Sequence, residues 1–386
     1  MNPLICPSCG SSDVNLFYHV AGVPVHSVQI IRSGDEAEKF PVGDIDLGCC
    51  RQCGFVSNYS YRPELQDYAV EYESTQSFSG TYNQFAVNLV NHLVDHFELK
   101  NRTVIEIGCG QGELLNLLAD IGKNNCIGFD PAFENEISLH PSVKVVKDYY
   151  SEKYADTEAD AVICKMTLEH IYPVREFIQN IRKLFRRADQ LLFMQVPNAG
   201  KVLGDVAFWD VYYEHCSYFT RTSLVNLLER CGFKVVSAEY GYDEQYLMVV
   251  ARLGDAQSLQ ENRDGSDGTA LSDRFGQLIG GRLTRWKDFF RDGAKNKTGV
   301  LWGGGSKAVA FITTLGLRDE IACVVDVNPR KEHTFLPGSA HQVVLPAHLL
   351  QIRPDYVVVM NPIYVPEIRS SLEQLSLFPE IYTVEE

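Results

Sequence analysis

No run of eighteen apolar residues occurs in this 386-residue sequence, and no apolar signal segment precedes its first cysteine. The first absence argues against a membrane-spanning helix, the second against a secretory leader. Short-period repeats, low-complexity tracts and sustained heptads are also missing, which argues against a solenoid, a disordered tail or a coiled-coil dimer. Positive charge is scarce: 35 Lys and Arg face 50 Asp and Glu, for a formal net charge of −15. Such a chain does not bind nucleic acid through its overall field. An anionic ligand remains open to it, because a local nest of amides and a few basic side chains suffice. The eleven cysteines are odd in number and scattered through apparent core strands, so a reducing cytoplasm fits better than a disulfide framework. The expectation is a cytoplasmic monomer or small homo-oligomer with a small-molecule substrate and no nucleic-acid or membrane partner.

With 45% hydrophobic and 22% charged residues, the composition is that of a globular protein, and the length predicts two or three domains. Four cysteines stand in two matched knuckles, Cys6-Pro-Ser-Cys9 and Cys50-Arg-Gln-Cys53, each closed by a glycine. Two Cys-x-x-Cys turns on one metal describe a tetrahedral, structural Zn2+ site. Cys49 competes with Cys50 for one position, but Cys50 keeps the two-residue spacing and the Cys-Gly ending. The bland alternative is a set of buried free thiols. A fully thiolate site has no open position for water, so the chemistry must lie elsewhere.

The chain divides into three blocks. Residues 1–60 carry the knuckles and short strand-like runs at Val23–Ile31 and Gly54–Ser57. Residues 61–252 form an α/β unit, opening on a Tyr- and Ser-rich loop or broken helix over 61–80. The polar, turn-rich stretch Arg252–Asp273 reads as a linker, followed by an amphipathic helix Leu271–Phe290 and a smaller α/β unit over 271–386.

In the middle block, the apolar strand Thr103-Val-Ile-Glu106-Ile runs into Gly108-Cys-Gly110-Gln-Gly112, with a helical pattern over Glu113–Ile121. Glycines at a strand-to-helix turn let backbone approach a ligand closely. The next strand ends in Asp130, at the distance expected of a ribose-binding carboxylate. This stretch, from about Asn101 to Arg252, resembles the class I S-adenosylmethionine (SAM)-dependent methyltransferases. The resemblance implies that Gly108, Gly110 and Gly112 face the amino-acid part of SAM and that Asp130 holds the ribose. It also implies that Asp148 lies by the adenine amine and that Glu106 orders the glycine turn from behind. A nicotinamide dinucleotide fold would carry Gly-x-Gly-x-x-Gly here instead.

Two further segments concentrate proton-handling groups. A strand from Ala161 empties into a loop ending Glu169-His170, and strand ends are where ligands sit in an open α/β sheet. Then comes Tyr212-Tyr213-Glu214-His215-Cys-Ser-Tyr218-Phe219, where a carboxylate adjacent to a histidine can fix its tautomer and raise its basicity. The plain alternative is a loop whose aromatics merely pack. His92 and His96, four apart, read as an exposed helix face. The last block repeats the nucleotide-fold grammar in Trp302-Gly-Gly-Gly-Ser306-Lys307 and Val324-Val-Asp326-Val-Asn328-Pro-Arg-Lys331, without a Walker motif. Its glycine turn either binds an anion or only walls the cleft.

Together the three blocks resemble the sugar C-methyltransferase family, in which a four-cysteine zinc domain, a SAM domain and a Rossmann-like domain follow in this order. The resemblance implies a 4-keto nucleotide-sugar substrate, with Tyr212, Glu214 and His215 on the catalytic segment. It also implies that His170 is a second catalytic histidine and that Tyr72 is an active-site loop tyrosine. His215 would take the proton next to the ketone, and Tyr212 or His170 would stabilise the enolate oxygen. Two departures bear on the acceptor. Tyr213 replaces the usual His of Tyr-His-Glu-His, and Lys331-Glu-His-Thr-Phe335-Leu-Pro-Gly-Ser339 lacks the first glycine of Lys-x-Gly-x-Phe-x-Pro-Gly-Thr. An O- or N-methyltransferase on another small metabolite, or a scaffold that binds SAM without turnover, are the alternatives.

Overall fold

A computed structural model describes residues 3–66, 72–73, 75–134, 137–254 and 264–385. Its strands fall into three sheets. The first is antiparallel, in the order Val14–Pro24, Val42–Cys50, Val56–Asn58, Ser217–Tyr218. The central sheet has seven strands in the order Phe233–Gly241, Tyr246–Leu253, Leu191–Pro197, Ala161–Lys165, Thr103–Ile107, Asn125–Phe129, Val143–Val146. All are parallel except Tyr246–Leu253, which runs antiparallel to both neighbours. The third is a five-stranded parallel sheet in the order Val343–Val344, Cys323–Val325, Gly299–Trp302, Tyr356–Val359, Glu380–Thr383.

The central strands are near-continuous apolar runs because both faces of a parallel sheet are covered. Val104 packs on one side with Leu89, Leu93, Leu114, Leu115 and Leu118 of the helices Gly80–His96 and Glu113–Gly122. Ile105 and Ile107 pack on the other with Ile178, Ile181, Leu224 and Leu228 of Val174–Arg182 and Arg221–Arg230. Strand order reverses between Thr103–Ile107 and Ala161–Lys165, so their carboxyl ends open a crevice at the switch point. A second core is shared by several blocks: Ile45 and Leu47 of the first sheet join Phe208, Tyr213, Phe275, Leu301 and Phe311.

The expected strand Val23–Ile31 is interrupted. Pairing ends at Pro24, and beyond it the amide of Ser27 donates to the Glu214 carboxylate at 3.1 Å rather than to a sheet neighbour. Gly54–Ser57 is realised as Val56–Asn58, and the helix expected at Leu271–Phe290 begins earlier, spanning Ser266–Asp288 before one wide turn, Phe289–Gly293. Residues 67–71 and 74 of the Tyr/Ser-rich loop, and 255–263 of the linker, lie outside the described residues. No helix among the described residues is long and apolar enough to cross a membrane.

Candidate active site

The glycine turn sits at the end of Thr103–Ile107 and is tied to the neighbouring strand. The Gly108 amide donates to Phe129 O at 2.8 Å, and the Gly110 amide to Asp130 Oδ2 at 2.8 Å. Asp130 accepts a second bond on Oδ1 from Ala132 N at 2.8 Å. Gly108 has φ +74°, and a Cβ there would stand 2.0 Å from Thr167 Oγ1. Gly110 has φ +55° and almost open space beside it, so backbone is bared toward the crevice. A Gly108→Ala protein is therefore expected to bind SAM at least tenfold more weakly, since the new Cβ would collide with Thr167 and the left-handed alanine costs about 1–2 kcal/mol, so the turn must move out of its binding position. Isothermal titration with SAM reads this, and unchanged affinity would remove the turn from the cofactor site.

Glu106 lines the same crevice, yet no hydrogen bond links it to the glycine turn among the described residues, and its Oε2 is buried without a partner. The side chain that ties the turn is Asp130. Burial pushes the Glu106 carboxyl up to about 8 and raises Asp130 as well. Gly112 begins the helix Glu113–Gly122 and faces Leu139 rather than the crevice. Asp148 is likewise outside the cleft lining, its carboxylate taken by the Lys153 ammonium and by Tyr154 Oη at 2.6 Å.

Beside the turn, the loops after Ala161–Lys165 and Leu191–Pro197 bring two histidines together. The His170 and His215 rings meet edge to face, 4.9 Å between centroids. His170 Nδ1 lies 3.1 Å from the backbone oxygen of Glu214, which places its proton on Nδ1 and makes Nε2 the acceptor nitrogen. His215 Nε2 lies 2.9 Å from Tyr212 Oη. Burial, then the neighbouring His170 and Lys307, pushes His215 well below the ordinary histidine value, and burial lowers His170 too. Both imidazoles are thus neutral near pH 7. Burial raises Tyr212 and Tyr72 well above 10, so both phenols keep their protons.

The expectation that Glu214 orients His215 is corrected by geometry. The amide of His215 turns back to Tyr212 O at 3.2 Å, which sets Tyr212 and His215 on one side and the Glu214 side chain on the other. That carboxylate is 1% exposed and lies behind the cleft wall. It accepts from the amide and hydroxyl of Ser27, stands 3.6 Å from His26 Nδ1, and acts on Tyr72 through a hydrogen bond. Ser27 Oγ in turn lies 2.7 Å from Ser306 Oγ of the last block. His26 and Ser27 were not found from the sequence, because a mixed polar pair inside a valine- and isoleucine-rich run gives no local signal, and Ser306 was read only as part of the second glycine turn.

Glu169 is the other unassigned participant. It is 1% exposed, lines the cleft, and neither carboxyl oxygen has a hydrogen-bond partner among the described residues. One of its oxygens and a ring nitrogen each from His170 and His215 lie within 4.8 Å of one another. Burial pushes its carboxyl up to about 8. Unfolded, a glutamate ionises near 4.5, so between about pH 4.5 and 8 only the folded state holds this proton, and stability falls as pH rises through that window. Glu169→Gln is expected to flatten that fall by on the order of 1.4 kcal/mol per pH unit. Urea unfolding at pH 6 and 8 measures it, and parallel curves for the two proteins would refute it.

The cleft has a volume of about 1170 Å³, more than one small-molecule site ordinarily needs. Tyr72, Asp130, His170, Tyr212 and His215 line it from one side, Ser306, Lys307, Arg330 and Lys331 from the other. Lys307 Nζ pairs with Asp210 at 2.8 Å and Arg330 with Glu73 at 3.1 Å. The second glycine turn repeats the first, with Gly304 N donating to Asp326 Oδ2 at 3.0 Å. Here, however, Lys331 Nζ reaches both Asp326 and Gly304 O, at 3.3 and 3.1 Å, so the chain's own ammonium covers the turn.

The four predicted knuckle cysteines converge, their sulfurs all within 4.8 Å of one another. Cys6 Sγ and Cys53 Sγ are 3.7 Å apart, Cys9 Sγ and Cys50 Sγ 3.5 Å. Zn–S bonds of about 2.3 Å in a tetrahedron set sulfurs about 3.8 Å apart, so the cluster fits a zinc ion. The two turns match, with Gly10 N to Cys6 O and Gly54 N to Cys50 O both at 2.8 Å. Cys49, on the opposite face of its strand, packs into the shared core instead. His92 and His96 stack on each other with no third ligand beside them among the described residues.

The strand order, the single antiparallel strand and the glycine turn bonded to an acid at the next strand's end define a class I SAM-dependent methyltransferase. Residues 82–238 match a methyltransferase domain family, and residues 257–377 match the C-methyltransferase C-terminal domain. The C-methyltransferase NovU of Streptomyces niveus is 24% identical over 388 residues, covering 94% of this chain and 90% of NovU. Among solved structures, the 1,6-didemethyltoxoflavin-N1-methyltransferase of Burkholderia thailandensis, with S-adenosylhomocysteine bound, is similar over 46% of this chain and 82% of its own, at 14% identity and a TM-score of 0.34. The magnesium protoporphyrin IX methyltransferase of Synechocystis is similar over 48% and 91%, at 17% identity and a TM-score of 0.36. The two domain matches and the likeness to NovU support a SAM-dependent C-methyltransferase.

Proposed function

We propose that the protein methylates a carbon of a 4-keto, nucleotide-linked deoxysugar through an enolate made by a histidine base. One observation carries this reading: a cleft large enough for cofactor and acceptor together, with two neutral imidazoles and a protonated tyrosine converging beside the glycine turn. Bound SAM supplies an electrophilic methyl group on a sulfonium. The chain holds it with the bared backbone at Gly108 and Gly110 and with Asp130 for the ribose. His215 takes the proton from the carbon next to the ketone, and the Tyr212 hydroxyl donates to the oxygen where charge develops. Low pKa keeps His215 ready as an acceptor at neutral pH, and His170 holds the adjoining wall. Glu214 acts through others: it fixes Tyr72, His26 and Ser27 and so shapes the acceptor side. Transfer of that methyl to the deprotonated carbon would release S-adenosylhomocysteine, and Gly108, Gly110, Asp130, Tyr212 and His215 would contribute by holding the two partners in place.

The same proposal gives residues 1–60 to a zinc-binding domain with one structural Zn2+ on Cys6, Cys9, Cys50 and Cys53. Residues 61–252 are the methyltransferase domain and 271–386 the substrate domain, in a cytoplasmic enzyme. SAM with a carbon-13 methyl, incubated with a panel of 4-keto nucleotide sugars and read by proton–carbon NMR, tests the acceptor. A methyl signal in the aliphatic carbon region is expected. A methoxy or N-methyl signal would end the enolate mechanism, and no transfer across the panel would end the sugar assignment.

A further inference from the structure

We propose that Glu332, His333 and His348 form a second metal site, for a divalent transition ion, on the last block and away from the thiolate cluster. One ligand atom from each lies within 4.8 Å of the other two. Glu332 Oε1 is 3.9 Å from His333 Nε2 and 3.8 Å from His348 Nδ1, and the two rings stand at 88° to each other. Zinc–nitrogen and zinc–oxygen bonds of about 2.0–2.2 Å in a tetrahedron set donors about 3.3–3.6 Å apart, slightly less than these two separations, so a small side-chain movement would close the site on an ion. Two imidazoles and one carboxylate are a donor set that suits zinc, nickel and copper and not calcium or magnesium.

Two observations point to a ligand here rather than to chance proximity. His348 Nδ1 is shut off from water and has no hydrogen-bond partner among the described residues. A buried ring nitrogen without a partner is costly, and an ion bound there would remove that cost. His333 also sits at φ +60°, in the left-handed region that is uncommon for residues other than glycine, asparagine, aspartate and histidine, and this conformation brings its ring to Glu332 and His348. The side chains remain open to entry from solvent, His333 at 63% and Glu332 and His348 at 31% exposure. Three protein donors leave positions for water, so the ion would exchange, unlike one enclosed by four thiolates.

The location matters for the loop. Its 3-10 turn Pro329–Lys331 sends Arg330 and Lys331 toward the cleft, while the next two residues face outward to His348 at the end of the turn Pro346–His348. A bound ion would join the two turns.

Full-length protein carrying its native zinc is titrated with Ni2+ by isothermal calorimetry. One Ni2+ per chain is expected to bind with micromolar affinity, weakened at least tenfold in both His348→Ala and His333→Gly. The glycine variant also relieves the left-handed backbone, so it stays folded if the alanine variant does not. Circular dichroism confirms the fold of each. The His170→Ala protein, altered in the other Glu/His cluster, is expected to bind Ni2+ unchanged. Failure of the wild type to bind Ni2+, binding untouched in folded His333→Gly, or binding lost only in His170→Ala would each overturn the proposal.

Discussion

A His215→Ala enzyme is expected to bind SAM as the wild type does and to transfer methyl groups about 10³-fold more slowly, within the range a single positioned proton acceptor supplies. The reason lies in where this histidine sits. It is buried at 6% exposure, bonded to Tyr212, and held neutral by burial and by His170 and Lys307. Among the described residues no carboxylate near it takes over the role: the Glu214 side chain faces the other way, and burial keeps Glu169 protonated until about pH 8. Single-turnover transfer from labelled SAM, with SAM affinity measured in parallel, separates chemistry from binding. The wild-type rate should also persist below pH 6.5 before it falls, because the base loses function only as pH drops through its lowered folded value. A variant that keeps a tenth or more of the wild-type rate would show that proton removal from carbon is not performed here.

The second large effect concerns the four thiolates. Elemental analysis is expected to find one zinc per chain bound to them, and Cys6→Ser to lower the melting temperature and abolish transfer together. Structural zinc contributes about 10–16 kcal/mol at such sites, as much as the whole stability of many domains. Cys6, Cys50 and Cys53 pack with Phe55 and Phe219 against the central sheet, so their loss is felt beyond the first sheet. Val14–Pro24, which begins beside the knuckles, leads directly to His26 and Ser27, and these hold Glu214. A zinc-free protein with unchanged melting and activity would contradict this account.

Most of the scaffold could be read from residues because its signals are local. The glycine turn, Asp130 and the two knuckles are short patterns whose chemistry dictates their geometry: Gly108, Gly110 and Asp130 meet at the crevice and the four cysteines converge, although Gly112 turns to Leu139. Tyr212, His215 and His170 were legible as types in a loop after a strand, although not as a bonded set. The partners of Glu214 were illegible, since Ser27 lies 187 residues away and its neighbours Val23, Val25, Val28 and Ile31 read as strand. Tertiary contact overrode that local preference at Ser27. Adjacency misled in the opposite direction: Glu214 and His215 are neighbours in sequence, and a tight turn divides their side chains. The closure of the second glycine turn by Lys331 was hidden likewise, because the motif records the turn and not what fills it.

The short chain of contacts from Ser27 through Glu214, with Ser306 against Ser27, bears on how such proteins can be recombined. Each of the three blocks donates one member, so a chimaera that exchanges the first sixty residues, or the last hundred, inherits a buried carboxylate matched to a different neighbour. Leaving a buried polar group without its partners in this way costs about 1–3 kcal/mol. Exchange of acceptor specificity between relatives is therefore constrained to travel with His26, Ser27, Glu214 and Ser306 as one inherited unit.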